Sequence, residues 1–172
     1  MPRIRLLSSD GEGHGAALAG HLRRIQETGS VLFVTADRPH GSWTAAWATA
    51  DIDLARLFVI DAVSAMNGHQ PTPRPANTTF LPSPAMLEMM ALRIEQLIRR
   101  HAPVRVVIDS LNTLALYNGV AAVQAFAHYL ANRLRDTAVG ADLIVHSDAE
   151  GAALRQRLAS FVDEALPLEA AA

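Results

Sequence analysis

Short runs of apolar residues alternate with helical patterns along most of the chain. Five such runs cover residues 4–7, 31–35, 57–60, 104–108 and 143–145, and a sixth at 165–168 is a candidate edge strand. Near-continuous apolar runs of this length are typical of strands that are buried on both faces of a parallel sheet. The pattern therefore predicts an α/β fold in which a mostly parallel sheet of about five strands is wrapped by helices.

Helices are predicted between these runs, at residues 16–26, 43–50, 85–101, 121–137 and 149–159. The third of them is opened by Pro84, carries Met86, Met90 and Ile94 near one face, and is predicted to be the longest. The stretch 67–84 contains five prolines and is predicted to be irregular, either as a plain connector or as a mobile lid. Since no repeat or second domain pattern is visible, residues 1–172 are expected to form a single domain.

The composition excludes several classes of protein and of functional site. Half of the 172 residues are hydrophobic, which is enough for a sizeable core, and the net charge of −2 gives no attraction to nucleic acid or to acidic membranes. The absence of cysteine excludes disulfides, thiolate metal sites and a cysteine nucleophile. Because no apolar run resembles a signal peptide or could span a bilayer, we expect a cytoplasmic location.

Polar side chains follow most of the predicted strands. They are Ser9 and Asp10, Asp37, Asp61, Asp109 with Ser110, and His146 with Asp148. Ligands of parallel sheets bind at the carboxyl ends of the strands, so this edge is the predicted functional site. Aspartate is also common after strands because it caps helices and turns, and capping is the simpler explanation for any one of them. For Asp109, which follows four buried apolar residues, both roles stay open.

Four segments carry a resemblance to a known family. They are Val-Leu-Phe-Val-Thr-Ala-Asp at 31–37, Leu-Phe-Val-Ile-Asp at 57–61, Val-Val-Ile-Asp-Ser-Leu-Asn-Thr-Leu at 106–114 and Asp-Leu-Ile-Val-His-Ser-Asp at 142–148. In this order the chain resembles the RecA superfamily, in particular its KaiC-like and RadA-like ATPase domains. It is most similar to the small archaeal-type KaiC relatives that lack an intact Walker A motif. The resemblance covers nearly the whole chain and implies a three-layer α/β/α sandwich with the strand before Asp109 at its centre.

The phosphate-binding loop of that family, Gly-x-x-x-x-Gly-Lys-Ser/Thr, would align on residues 10–17. The residues at its first glycine, last glycine, lysine and Mg²⁺-binding hydroxyl are here Asp10, Gly15, Ala16 and Ala17. Lysine occurs nowhere in the chain, because all 15 basic residues are arginine. The amides of Gly13 and Gly15, in a loop that also contains Gly11, would have to overcome the repulsion between a phosphate and Asp10 or Glu12. The resemblance therefore implies a degenerate nucleotide site.

The acidic side of that site is better preserved. Asp109 matches the Walker B aspartate that would hold Mg²⁺, and Ser110 follows it. Asp37 stands where the family has its catalytic carboxylate, and His146 stands where it has a polar sensor of the γ-phosphate. Because the metal side is retained and the phosphate side is lost, we predict a pseudo-ATPase. It would be a non-catalytic or regulatory domain that acts through a protein partner, such as a signalling component, and needs no cofactor.

A weak ATPase or nucleotide-binding switch is the alternative. Arg38, or an arginine from a neighbouring subunit, would replace the missing lysine, with Asp37 orienting water and Asp109 holding Mg²⁺ beside ATP. Nucleotide usually bridges the subunits of RecA relatives, so its loss predicts a monomer or homodimer rather than a hexamer. The surface around Met86 and Met90 is a candidate dimer face, and packing of these methionines on the sheet is the other interpretation.

Other site types have weaker support. The seven histidines lack metal-binding spacing, so no zinc site is expected. A hydrolase triad would need His146, an aspartate and one of three serines, Ser8, Ser9 or Ser110, but the chain has no Gly-x-Ser-x-Gly motif. Trp43 and Trp47 lie one helical turn apart and could form an aromatic platform for a partner, although packing against the sheet is the expected role.

Overall fold

The computed structural model describes residues 3–169, in which seven strands form one sheet. In chain order they are β1 (Ile4–Ser9), β2 (Val31–Thr35), β3 (Leu57–Asp61), β4 (Thr78–Phe80), β5 (Arg105–Asp109), β6 (Gly140–His146) and β7 (Glu164–Pro167). Across the sheet the order is β4-β3-β2-β5-β6-β1-β7, and every neighbouring pair is parallel. The strand that ends at Asp109 lies at the centre, as the resemblance implies.

Helices cover both faces of the sheet. They are α1 (His14–Gln26), α2 (His40–Ala48), α3 (Leu87–His101), α4 (Leu111–Asn118), α5 (Val120–Arg135) and α6 (Ala149–Leu158), with a short 3-10 turn at Leu54–Arg56. Residues of α1 and α2 pack on one face, and residues of α3 to α6 pack on the other. The result is the predicted three-layer α/β/α sandwich.

Each face of the sheet has its own apolar core, because neighbouring residues of a strand point to opposite sides. On β2, Leu32 and Val34 belong to the core beneath α3 to α6, whereas Val31 and Phe33 belong to the core beneath α1 and α2. All five residues of β2 are buried. This is what a continuous apolar run predicts for an inner strand of a covered parallel sheet, and the predicted fold class is confirmed.

Three details of the predicted elements are wrong. The stretch 67–84 is not wholly irregular, since Thr78–Phe80 pairs with β3 and raises the number of strands to seven. The longest helix is α5, with 16 residues, rather than α3, with 15. Residues 111–118 form a helix that the pattern did not predict, and Gly119, at φ 80°, separates it from α5. A positive φ favours glycine, so this junction depends on it.

Most of the tryptophan and methionine side chains that were candidates for a partner or dimer surface belong to the apolar core. Trp43 and Trp47 are 4% and 3% exposed and pack with Phe33, so they form no platform for a partner. Met90 is fully buried, whereas Met86 is only partly buried. Within residues 3–169 there is no helix with both the length and the apolar character needed to cross a membrane.

Candidate functional site

Polar side chains from neighbouring strands meet at the carboxyl edge of the sheet. β5 ends at Asp109, β6 ends at His146, and β2 ends two residues before Asp37. Because these strands are adjacent, their ends converge. Ser110 Oγ donates to Asp37 Oδ1 at 3.2 Å, and His146 Nε2 donates to Asp37 Oδ2 at 3.3 Å. The structure thus brings together the four residues that the sequence placed on the acidic side of the site.

The loop between β1 and α1 is a short turn. Asp10, Gly11 and Glu12 are exposed, and Gly13 precedes α1 with a left-handed backbone at φ 83°. Among the described residues no side chain caps the start of α1. The residues aligned with the family's last glycine, lysine and hydroxyl lie in the first turn of the helix: Gly15, Ala16 and Ala17.

His14, at the first position of α1, joins this loop to Asp109 at the end of β5. Its Nδ1 lies 2.6 Å from Ser9 Oγ, and its Nε2 lies 3.0 Å from Asp109 Oδ2. A carboxylate only accepts hydrogen bonds, so Nε2 carries the hydrogen and donates to Asp109. Ser9, His14 and Asp109 are 1%, 5% and 2% exposed. The carboxylate that the resemblance assigns to Mg²⁺ is therefore already bonded to a buried histidine of the protein itself.

A small cavity lies between α1, α2 and the ends of β2 and β5. Its volume is about 20 Å³, and it is lined by His14, Gly15, Arg38 and Asp109 together with the apolar side chains of Leu18, Phe33, Trp43 and Trp47. A water molecule needs about 10 to 15 Å³ by the same kind of measure, so a phosphate group does not fit there. The exposed Arg38 lies over the start of α1, since a Cβ atom on Gly15 would be 3.5 Å from Arg38 Nη1.

Asp37 and His146 form a half-buried pair whose charges support each other. Burial alone would raise the pKa of Asp37, but hydrogen bonds from His146, Thr113 and Ser110 and the charge of His146 outweigh it and lower this pKa. The hydrogen bond to Asp37 raises the pKa of His146, against the opposite effect of burial, and the charges of Asp109 and Asp148 add to the rise. The pair therefore favours a protonated imidazole beside an ionised carboxylate.

The replacement Asp37→Asn should lower the pKa of His146 towards its ordinary value of 6.5. The ionised Asp37 stabilises the folded protein above about pH 4, and this contribution to the free energy of unfolding is lost as the pH falls through the lowered pKa of Asp37. The contribution of His146 is complete below about pH 6.5 and is lost as the pH rises through its raised pKa. Between these limits the pair should contribute about 0.5 to 1 kcal/mol.

NMR titration of the histidine resonances checks this expectation. The control variant is Asp53→Asn, because Asp53 caps the 3-10 turn and makes no contact with the pair. An unchanged titration of His146 in Asp37→Asn would contradict the assignment of Asp37 as its main partner.

A second group of bonds holds His146 in position through its backbone. The amide of His146 donates to Asn112 Oδ1 at 2.9 Å, and Asn112 Nδ2 donates to Asp148 Oδ1 at 3.1 Å. The same oxygen of Asp148 accepts the amide of Gly151 at 2.7 Å and caps α6. Asp61 likewise accepts from Val63 and Ser64 amides. Capping thus explains Asp61 and Asp148, whereas neither oxygen of Asp109 accepts a backbone amide within residues 3–169.

The site shows neither a metal cage nor an open hydrolase triad. Within residues 3–169 no group of three or more histidine or acidic side chains is arranged to hold a metal ion. Asp109 Oδ1 is buried and has no hydrogen-bond partner in this part of the chain. Ser9, His14 and Asp109 follow one another as in a hydrolase triad, but Ser9 is 1% exposed and no substrate carbonyl could reach it.

His14 and Asn112 are the site residues that sequence reasoning missed. Nothing in the sequence pattern distinguishes His14 from the six other histidines. The direction in which its side chain points depends on the turn that starts α1. The available signal is its position, since it lies in the segment aligned with the phosphate-binding loop and five residues after Ser9.

Comparisons with known proteins agree with this architecture. The sequence model of a family of unknown function (DUF7504) matches residues 6–168. The KaiC-like protein PH0186 from the hyperthermophilic archaeon Pyrococcus horikoshii is a solved structure with a similar fold, at a TM-score of 0.59 and 15% identity. The match covers 84% of this chain and 61% of that protein, so the chain spans less than two thirds of its length. No curated protein matches the chain. The fold is RecA/KaiC-like.

Proposed function

The chain belongs to the DUF7504 family, whose function is unknown, and we propose that it is a non-catalytic, regulatory KaiC-like domain that acts through protein partners. In this proposal the nucleotide site is degenerate, and neither ATP nor Mg²⁺ is a cofactor. Asp109, Ser110, Asp37 and His146 are remnants of that site which now hold the edge of the sheet together.

The contact between His14 and Asp109 is the observation that carries the proposal. A nucleotide hydrolase of this fold needs its Walker B carboxylate free to orient Mg²⁺, and it needs space for the phosphates beside that metal. Here the imidazole of His14 is bonded to Asp109, and the cavity that His14 and Asp109 line has a volume of only about 20 Å³. Binding of a triphosphate would first require breaking two buried hydrogen bonds of His14.

The charges of the loop also oppose phosphate binding. Asp10 and Glu12 are exposed on the turn, and Ala16 and Ala17 supply neither a cation nor a hydroxyl. Two like charges at about 4 Å repel by about 1 to 4 kcal/mol at the dielectric constants found near a protein surface. The amides at the start of α1 would have to compensate this repulsion without help from a lysine.

A largely apolar groove between α3 and α5 supports the proposal of a protein partner. It has a volume of about 840 Å³. Leu92 and Tyr129, on its two sides, are 51% and 49% exposed. Exposed apolar surface of this kind is typical of protein contacts, and the net charge of −2 disfavours nucleic acid. We propose a signalling protein as partner and a monomer or homodimer as the assembly.

ATP and Mg²⁺ should leave the protein unchanged. We expect no phosphate release above a contamination control, no rise in melting temperature with millimolar ATP, ADP or Mg²⁺, and no nucleotide-dependent hexamer in light scattering. A ligand that binds only the native state would raise the melting temperature. The control variant is Asp109→Asn. Turnover or a Mg²⁺-dependent rise in the wild type that disappears in Asp109→Asn would overturn the proposal.

A weak ATPase or nucleotide switch is the second candidate, and the position of Arg38 favours it. Its guanidinium lies over Gly15, where a cation could face a phosphate at the start of α1. Asp37 would orient the water and Asp109 would hold Mg²⁺. A rise in melting temperature with ATP that is lost in Arg38→Ala and kept in Arg56→Ala, an exposed arginine of the 3-10 turn, would select this candidate.

A further inference from the structure

A second polar cluster lies near the amino ends of the strands, away from the site described above. Its centre is Asp142 on β6, which is fully buried. Arg5 of β1 donates to both of its oxygens at 2.7 Å, and Arg105 of β5 donates to Oδ1 at 2.7 Å. His21 of α1 lies with Nε2 2.7 Å from Oδ2. Because β6 runs between β5 and β1, one carboxylate receives an arginine from each side.

The cluster has more positive charge than its carboxylate can neutralise. A carboxylate has about four acceptor positions, and four donor atoms already occupy those of Asp142. Arg5 Nη1 and the Nε and Nη2 of Arg105 have no acceptor within residues 3–169. Glu164 is also nearby, but it is paired with Arg3. Arginine does not lose its proton in proteins, so one positive charge remains unbalanced at a partly buried place.

Both Arg5 and Arg105 line a cavity of about 500 Å³. It lies beside α1, the start of β5 and the segment 166–169. Arg24 and Glu169 also line it, and Arg24 Nη2 donates to the carbonyl oxygen of Glu169 at 3.3 Å. Leu7, Ile25 and Val104 give the cavity an apolar part. Cavities of roughly 300 to 1,000 Å³ with a few convergent polar groups are the usual form of small-molecule sites.

The backbone at Gly140 approaches the guanidinium of Arg105 closely and fixes its orientation. A Cβ atom on Gly140 would lie 2.9 Å from Arg105 Cζ, so the guanidinium packs directly on this glycine. A planar, fixed guanidinium can bind a carboxylate or phosphate through two parallel hydrogen bonds. The position of Arg105 therefore combines charge, free donors and orientation.

We propose that this cavity binds a small organic anion, with a carboxylate or phosphate against Arg5 and Arg105 and an apolar body against Leu7, Ile25 and Val104. The site is independent of the proposed function, because it lies at the opposite end of the strands and uses none of the same residues. It would give the domain a small-molecule ligand that is not a nucleotide.

The test compares ligands that share one apolar body. Hexanoate, hexyl phosphate, neutral hexanol and inorganic phosphate are titrated at constant ionic strength, with binding read from the melting temperature and from the NMR signals of His21. Hexanoate or hexyl phosphate should bind, and whichever binds more tightly identifies the headgroup. Hexanol and inorganic phosphate should bind at least tenfold more weakly, because each lacks one half of the interaction.

A matched pair of variants tests the location. Leu166 lines the cavity and is 43% exposed, so its replacement should leave the fold intact. Leu166→Glu places a negative charge at the cavity and should weaken anion binding about tenfold, whereas the neutral Leu166→Gln should bind like the wild type. Equal affinity of the two variants, equal binding of hexanol and hexanoate, or no binding by any of the four compounds would overturn the proposal.

Discussion

Replacement of Asp142 by alanine should lower the free energy of unfolding by about 3 to 5 kcal/mol. Removal of one partner from a buried ion pair costs this much because the other partner stays buried without compensation. Here two arginines lose their common acceptor, since Arg5 and Arg105 both donate to the fully buried Asp142. Their guanidiniums would then repel each other. Urea denaturation followed by circular dichroism measures the change.

Two further variants make this expectation specific. Asp142→Asn keeps the size of the side chain and one carbonyl oxygen but loses the charge, so its cost should lie between those of wild type and alanine. Glu164→Gln removes an acid whose ion pair with Arg3 is more exposed and should cost less than about 1 kcal/mol. A loss below about 1 kcal/mol in Asp142→Ala would show that water replaces the carboxylate without penalty.

The dependence of stability on pH should follow from the same cluster. Burial would raise the pKa of Asp142, but hydrogen bonds from His21 and Arg5 and the charge of Arg105 outweigh it and lower this pKa. A lowered pKa means that the stabilisation is present above about pH 4 and is lost as the pH falls through the folded-state value. The acid limb of the stability curve should therefore be flatter in Asp142→Asn than in the wild type.

Most of the fold could be predicted because its strands are buried on both faces. Runs such as 31–35 and 104–108 are apolar except for Thr35 and Arg105, and such a pattern can be recognised without knowing the neighbouring strands. The strand at Thr78–Phe80 was not predicted, because it consists of three partly buried residues after a proline-rich stretch and lacks this apolar pattern. It pairs at the edge of the sheet, where burial is weakest and tertiary contacts decide.

The candidate sites were only partly predictable, for a different reason. Parallel strands bring their carboxyl ends to one edge, so Asp37, Asp109 and His146 could be grouped from sequence alone. The order of strands was needed to find the cluster at Asp142, because only the order places Arg5 and Arg105 on either side of it. Charged residues inside predicted buried runs were the available signal, since such residues are rarely buried without a partner.

Replacement of Gly151 by alanine should cost about 3 kcal/mol or more, opposite in sign to the usual effect. Alanine in place of glycine inside a helix normally stabilises by about 0.5 to 1 kcal/mol. At Gly151 the new Cβ atom would lie 1.7 Å from the carbonyl oxygen of His146. That oxygen belongs to the backbone, so no rotamer change relieves the overlap, and either α6 or the end of β6 must move.

The same variant should also disturb the carboxyl edge of the sheet. A shift of His146 would lengthen its 3.3 Å contact with Asp37, so the raised pKa of His146 should fall towards its ordinary value. Gly11→Ala is the matched control, because a Cβ atom at this exposed position meets nothing within 4 Å. Urea denaturation and NMR titration of both variants measure the two effects. If Gly151→Ala unfolds at the same urea concentration as Gly11→Ala, the close packing of α6 on His146 is not what fixes the histidine in place.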